Sequence, residues 1–416
     1  MKKKLRILVV WILVSLSFQF GGYSLLNNQI QKVMGVMGGE SEPPITPQLK
    51  ATIPGSDLMN IQVSYAKDYL AYSENGTLKI FNLKKGKVVF EKKSPSTTDK
   101  TLGVLTYQWL PDRSTLLYFY AKKNPNEITS VTIYPKATAQ SPAQNSTPEK
   151  TEDPNQKIEK GVPKVVQPQP YTEKRYGNPQ LTELYSLELP DSDDDDTPPD
   201  NRFNRTIDQL PKGGKLENLV FSTPSNLIYL TVKNGSSQLL MEIDIMKDVL
   251  TRNKSGEVIS NMAASDRYGT LYVTSKIGDT HQVLALSGTK RWVISKKSND
   301  RVIGIRAGKV YLGEVINNEL VKIKTTSDRS ELTDNPSLKT EWEGSIPFNE
   351  KVCALIGVNG QIVVYDNQTA SIVTEGHLAE VKLQGDENYI SVDGAELIQL
   401  TKAETSTLVE LQPVKP

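Results

Sequence analysis

Residues 227–243 read Leu227-Ile228-Tyr229-Leu230-Thr231-Val232-Lys233-Asn234-Gly235-Ser236-Ser237-Gln238-Leu239-Leu240-Met241-Glu242-Ile243. β-branched and long apolar residues crowd both arms, and Asn234-Gly235 interrupts them. A two-residue reversal needs positive φ at its centre, and Asn-Gly supplies it at little steric cost. The arms run apolar instead of alternating strictly with polar residues, as strands covered on both faces do. The stretch therefore predicts a hairpin inside a stack of sheets.

The same unit recurs along the chain. Tyr69 to Tyr72 turns at Asn75-Gly76 into Leu78 to Phe81. Leu271 to Val273 turns near Gly278-Asp279 into Gln282 to Leu286, and Val310 to Leu312 turns at Asn317-Asn318 into Leu320 to Ile323. Ala354 to Ile356 turns at Asn359-Gly360 into Ile362 to Tyr365, and Tyr389 to Val392 turns at Asp393-Gly394 into Leu397 to Leu400. A following strand is visible at Val88 to Phe90, Arg291 to Ile294 and Ser371 to Val373, and a leading one at Asn60 to Ser64, Val302 to Ile305 and Glu380 to Leu383.

From Asn234 onward the turns fall about 34 to 44 residues apart, one four-stranded unit per period. Leu105 to Trp109 with Leu116 to Tyr120 supplies a further unit that lacks the Asn-Gly turn because an insertion follows it. The count is about seven, and seven units of roughly 44 residues need roughly 310 residues. The expected fold is all-β, a β-propeller of about seven blades over residues 50–416. Six or eight blades, a β-sandwich and several small β domains are the alternatives.

Trp109-Leu110-Pro111-Asp112 followed by Leu116-Leu117-Tyr118 resembles the repeat of TolB-like (WD40-like) propellers: a tryptophan, a short Pro-Asp turn, then an apolar strand. Val63 to Tyr72 is similar without the proline, and Phe221-Ser222-Thr223-Pro224 with Leu227 to Tyr229 is a more degenerate copy. Proline presets φ at such a corner and aspartate bonds the following backbone. The resemblance implies architecture, with Trp109, Pro111 and Asp112 as structural positions, and implies no functional residue. The TolB role is not implied, because TolB is a soluble periplasmic protein with an extra N-terminal α/β domain.

The N-terminus predicts an anchor. Residues 1–6 carry Lys2, Lys3, Lys4 and Arg6, and residues 7–26, bounded by Ile7 and Leu26 and including Trp11 and Phe20, are predominantly apolar. Twenty helical residues at about 1.5 Å each just span a hydrocarbon core of about 30 Å. The basic flank places the first residues in the cytoplasm and the remainder outside, as a single-pass signal-anchor of the cell membrane. The candidate small-x-small cleavage sites near Phe18-Gln19-Phe20-Gly21 are poor, so an uncleaved anchor is favoured over a cleaved signal. Residues 27–49 read as a linker.

The stretch from about 136 to 180 is Pro-, Ser-, Thr- and charge-rich, too poor in apolar surface to offset the entropy of ordering, and is expected to be a disordered insertion. Leu181 to Leu189 reads as a returning strand. An acidic loop follows at about 190–201, where Asp191, Asp193 and Asp195 are the candidate cation ligands. The loop lacks the glycine and closing glutamate of a calcium loop, and a solvated charge run is the commoner reading.

Composition excludes much chemistry. The 416 residues carry a formal net charge of +1, two histidines and one cysteine. That argues against a disulfide scaffold, a thiolate-held zinc and most histidine catalysis. No Gly-x-Ser-x-Gly elbow, phosphate-cradling loop or His-Glu-x-x-His occurs. His281 reads as a strand residue, Cys353 as a buried small hydrophobe, and Trp109, Trp292 and Trp342 as blade packing. Lys84, Lys85, Lys87, Lys92 and Lys93 read as protection of an outer strand edge, not as a nucleic-acid surface. The expectation is a membrane-anchored, extracytoplasmic binding or scaffolding module with no catalytic residue, cofactor or nucleic-acid partner. Its partners are the membrane, through the N-terminal helix, and a protein or peptide. The alternatives are an enzyme with a site in the propeller channel (lyase, glycosidase or quinoprotein type) and a ligand-sensing ectodomain.

Overall fold

The computed structural model describes residues 49–414 except 75, 127, 134–168, 191–196, 245–247, 330, 350 and 358. They belong to one unit, Gln48–Pro416. Ile7, Trp11, Phe20 and Leu26 of the expected anchor, and Asp191, Asp193 and Asp195, lie outside the described residues, among which no helix is long and apolar enough to cross a membrane.

Strand β1 is Leu49–Pro54. The first blade is β2 (Met59–Val63), β3 (Tyr69–Glu74), β4 (Thr77–Asn82) and β5 (Lys87–Lys92). The second begins with β6 (Gly103–Trp109) and β7 (Thr115–Lys123), is interrupted by β8 (Ile128–Ile133) and β9 (Tyr171–Tyr176), and ends with β10 (Gln180–Glu188) and β11 (Asp200–Ile207). The third is β12 (Lys215–Ser222), β13 (Leu227–Asn234), β14 (Ser237–Ile243) and β15 (Val249–Thr251). The fourth is β16 (Glu257–Ala264), β17 (Leu271–Ile277), β18 (Thr280–Ser287) and β19 (Lys290–Ser295). The fifth is β20 (Asp300–Arg306), β21 (Lys309–Ile316), β22 (Glu319–Ser327) and β23 (Lys339–Pro347). The sixth is β24 (Cys353–Ile356), β25 (Ile362–Tyr365), β26 (Thr369–Thr374) and β27 (His377–Lys382). The seventh joins both ends of the unit, β28 (Glu387–Ile390), β29 (Glu396–Lys402) and β30 (Ser406–Pro413) with β1 outermost.

This is a seven-bladed propeller of four-stranded antiparallel sheets. Its core is divided into seven apolar clusters, each shared by two neighbouring blades. Leu240 of the third blade packs with Leu271 of the fourth, and Val283 of the fourth with Val310 of the fifth. Every sheet is covered on both faces by its neighbours, which is why the strands read apolar throughout instead of alternating. In β17 the first five residues are all buried.

Several turns take the expected conformation. Asn317 and Asn318 both have positive φ, at 53° and 62°, the type I′ requirement. The position of the turn within the blade changes along the chain. In the first, third, fourth and fifth blades the expected hairpin joins the second and third strands. In the sixth and seventh, Asn359-Gly360 and Asp393-Gly394 join the first and second. Glu380 to Leu383, expected to lead the last unit, lies instead largely in β27, the outer strand of the sixth blade. The sequence period survives because any tight antiparallel reversal accepts the same residues.

Of the stretch expected to be a disordered insertion over 136–180, residues 136–168 lie outside the described residues and the rest is partly strand. Residues 171–176 form β9, paired in full with β8 as a separate two-stranded sheet, and Gln180 opens β10. β9 reads Tyr-Thr-Glu-Lys-Arg-Tyr, without an apolar run, so only backbone pairing marks it as strand. At the far side of the acidic loop, Asp200 and Asn201 belong to β11.

Strand direction divides the turns between two faces. Links from first to second and third to fourth strand lie on one face; those from second to third strand and from blade to blade lie on the other. The chain enters β1 at Leu49, opposite Leu411 of the last strand, on the first face. The β8–β9 hairpin joins the second and third strands of its blade and so leaves from the second face.

Candidate functional site

The inner strands carry the geometry that aims residues between blades. Four of them, β6, β12, β16 and β20, slip by one residue against their second strand, and β2 is irregular at the same place. Such bulges raise local twist and redirect side chains. In β2 the irregularity holds Asn60 at φ 55°. The Gln62 side chain then donates to Tyr107 O at 3.0 Å, and Trp109 Nε1 donates to Gln62 O at 3.2 Å. Trp109 is 1% exposed. Pro111 and Asp112 follow it in the turn on the first face, where Leu110 N donates to Thr115 O and Asp112 accepts from Arg113. The structure thus places Trp109 in the seam between the first two blades, with Pro111 and Asp112 in the turn beyond it.

The first-face turns are stitched round the ring. Lys67 pairs with Asp393 and, at 3.1 Å, with Glu396, joining the first blade to the seventh. Ser222 Oγ donates to Ser265 O at 2.8 Å, and Gly308 N donates to Asp266 Oδ1 at 3.3 Å. The second strands of the first five blades each bury a tyrosine: Tyr72, Tyr118, Tyr229, Tyr272 and Tyr311.

Buried carboxylates are committed in the same way. Asp300 and Glu257 open the inner strands of their blades. Lys324 donates to Asp300 at 2.8 Å and pairs with Glu314 at 2.6 Å, while Arg291 and Ser275 hold Glu257. Burial pushes the Glu257 and Asp393 carboxyls up, but bonds from Arg291 and Ser275 in one case and Lys67 and Ser391 in the other outweigh it, leaving both below the usual range. Glu314 is lowered by its bond from Lys324. Asp328 goes the other way: burial raises it despite bonds from Ser265 and Tyr272.

These shifts predict an acid limit. Carboxylates held low in the folded state contribute stability that is full above their unfolded values near about 4 and is lost as pH falls through the lower folded values. Asp328 has the opposite sign, opposing folding near neutrality and less so as it protonates. With these three among seven carboxyls held low, against Asp328 alone raised among the described residues, the urea midpoint is expected to vary little between about pH 7 and 5 and to drop below about pH 4. A midpoint unchanged down to pH 3 would contradict these ion pairs.

A cleft of about 400 Å³ lies on the first face, between the fourth and fifth blades. Tyr272, Lys309, Thr325, Arg329, Ser337 and Glu341 are among its walls. Its roof is the connection from β22 to β23, residues 328–338, far longer than the two-residue links 288–289 and 375–376 of the flanking blades. The connection is pinned to the neighbouring outer strand: Asn335 N donates to Val293 O at 2.6 Å, and Val293 N to Asp334 Oδ1 at 2.7 Å. Leu332 and Leu338 pack against the core below. At the floor Tyr272 donates to Asp328 at 2.7 Å. The sequence reading passed over this site. Its one signal was the run from Asp328 to Ser337, too long for a hairpin turn, with Leu332 as its only large apolar residue.

His281 lies on β18 as expected, and His377 is exposed on β27. Cys353, expected to be buried, is exposed at the first position of β24. It lies opposite Tyr365 at the end of a four-residue inner strand. Trp342 is buried and Trp292 half-buried. Lys87 and Lys92 lie on β5, the outer strand of the first blade, as edge protection requires; Lys92 also sits 4.4 Å over the Tyr185 ring. Among the described residues no three His, Cys, Asp or Glu side chains group as a metal site.

No protein-family model matches the chain, and no curated protein matches it. Solved structures do. The chain is similar to one in a nidogen/laminin complex at 15% identity and a TM-score of 0.37, over 52% of this chain and 81% of that one. It is similar to Hsv2 of Kluyvelomyces marxianus at 9% and 0.42, over 83% and 88%. It is also similar to the Dos1 propeller at 10% and 0.40, over 86% and 80%.

Proposed function

We propose that this protein is a membrane-tethered, extracytoplasmic propeller that binds a protein or peptide, with its TolB-like turns serving only to join blades. The observation that carries the reading is the β8–β9 hairpin. It is a six-pair ladder bonded to no blade, with Ile128 and Tyr171 exposed at 53% and 54%. A two-stranded hairpin is marginal alone in water, so a partner covering its apolar positions stabilises it. The hairpin leaves from the face opposite the point where the chain enters β1. A closed ring holds its loops at fixed positions.

A photoreactive residue tests this in cells. Tyr171→p-benzoylphenylalanine is expected to give a discrete cross-linked species in the membrane fraction, and Tyr65→p-benzoylphenylalanine, exposed on the first face, to give none. Removing residues 1–26 should release the chain from membranes. Equal cross-linking at both positions, or no adduct at 171, would overturn the partner assignment; a truncated chain that stays membrane-bound would overturn the tether.

A further inference from the structure

We propose that the cleft between the fourth and fifth blades is a binding site for a small anionic saccharide, a sugar bearing a carboxylate or phosphate. Three observations on one site carry this. The first is shape: a space of about 400 Å³ falls in the range of small-molecule pockets, about 300–1,000 Å³. The second is its roof. A long connection without secondary structure is uncommon in a repeat fold and usually functional when ordered. Here residues 328–338 are held by Asp334 and Asn335 against β19, with Leu332 and Leu338 turned into the core. Blade closure does not need this segment, since the flanking blades make the same link in two residues.

The third is the chemistry of the walls. Glu341 accepts from Thr325 at 2.9 Å and pairs with Lys339 at 3.1 Å. Burial would raise its carboxyl, but Thr325 and Lys339 keep it below the usual range, so it stays ionised. It is an acceptor for sugar hydroxyls. Lys309 and Arg329 line the same cleft, beside a second carboxylate, Glu331, and among the described residues neither cation makes an ion pair. They are the donors for an anionic group, the guanidinium in a fork that suits carboxylate or phosphate. Thr326 and Ser327 stand between, their hydroxyls making no hydrogen bond among the described residues. A ligand with both hydroxyls and negative charge uses every one of these groups. A bare anion leaves Glu341 repelling it, and a neutral sugar leaves the Arg329 guanidinium without a partner.

Titration calorimetry on the full chain in detergent tests the assignment with four probes: glucuronate, glucose 6-phosphate, glucose and inorganic phosphate. At least one anionic sugar is expected to bind saturably and at least tenfold more tightly than glucose or inorganic phosphate. Glucuronate ahead of glucose 6-phosphate marks a carboxylate ligand, and the reverse a phosphorylated one. The Lys309→Ala/Arg329→Ala variant should lose at least tenfold in affinity with an unchanged thermal melt, both residues being exposed. Thr326→Val should weaken the sugars and not inorganic phosphate. No saturable binding by either anionic sugar, glucose binding as tightly as they do, phosphate doing so, or affinity indifferent to the double variant would each overturn the proposal. The readout does not involve the β8–β9 hairpin, so it stands or falls apart from the partner reading.

Discussion

Deleting Leu49–Pro54 is expected to unfold the entire propeller, although the segment is only the outermost strand of one blade. All six of its residues pair with β30. Ile53 is fully buried, and Ala51 nearly so, in the cluster that also holds Ile61, Val63 and Leu70 of the first blade and Ile398, Leu400 and Val409 of the seventh. Beyond the strand, Gly55 N donates to Thr405 O and Thr407 Oγ1 donates to Gly55 O at 2.8 Å. A ring has no free blade edge between neighbours, so opening this seam exposes two apolar sheet faces and leaves β30, still paired with β29, with an unpaired outer edge that invites association. Losing the Ile53 side chain alone is worth about 2–5 kcal/mol, a large part of a typical margin of about 5–15 kcal/mol. Ile53→Asp, which buries a carboxylate without a partner, should approach the effect of the deletion. Urea unfolding and gel filtration read the result, and a synthetic peptide of residues 48–56 added in trans should restore the monomer peak. A truncated chain with the parental urea midpoint would show that β1 does not close the ring.

Trp109→Ala is expected to cost about 3–5 kcal/mol, the usual range for emptying a buried aromatic site. The indole fills the cluster between the first and second blades beside Tyr69, Leu116 and Tyr118. Its Nε1 donates to Gln62 O in the neighbouring blade. Trp109→Phe separates the two contributions, since it keeps most of the packing and loses the bond, and should cost about 1 kcal/mol more than volume alone predicts. Asp112→Ala, immediately after Pro111, should change stability by less than about 0.5 kcal/mol, because its partner Arg113 is a sequence neighbour at the surface. Chemical denaturation of the three variants decides it. Equal losses at Trp109 and Asp112 would contradict the division of labour read from the motif.

The repeat was legible because each blade is a local object. Asn234-Gly235 and Asn317-Asn318 mark turns whose conformation depends on two residues, and seven such units could be counted without knowing how they meet. Cys353 and the β9 strand were not legible. Exposure of the first is decided by the shortness of its strand, and pairing of the second is carried by backbone atoms common to all residues. The cleft was missed for a related reason. Lys309, Arg329 and Glu341 are ordinary surface charges in sequence, and only the fold of residues 328–338 against the adjacent blade gathers them around one space.

Taken alone, the sequence determined the strand content and the blade period, since turn chemistry acts within a few residues. The tertiary structure decided which strands are innermost, that β1 completes the last blade from about 350 residues away, and where charged groups converge. Those outcomes depend on contacts between segments far apart in the chain, and their energies appear only when the ring is closed.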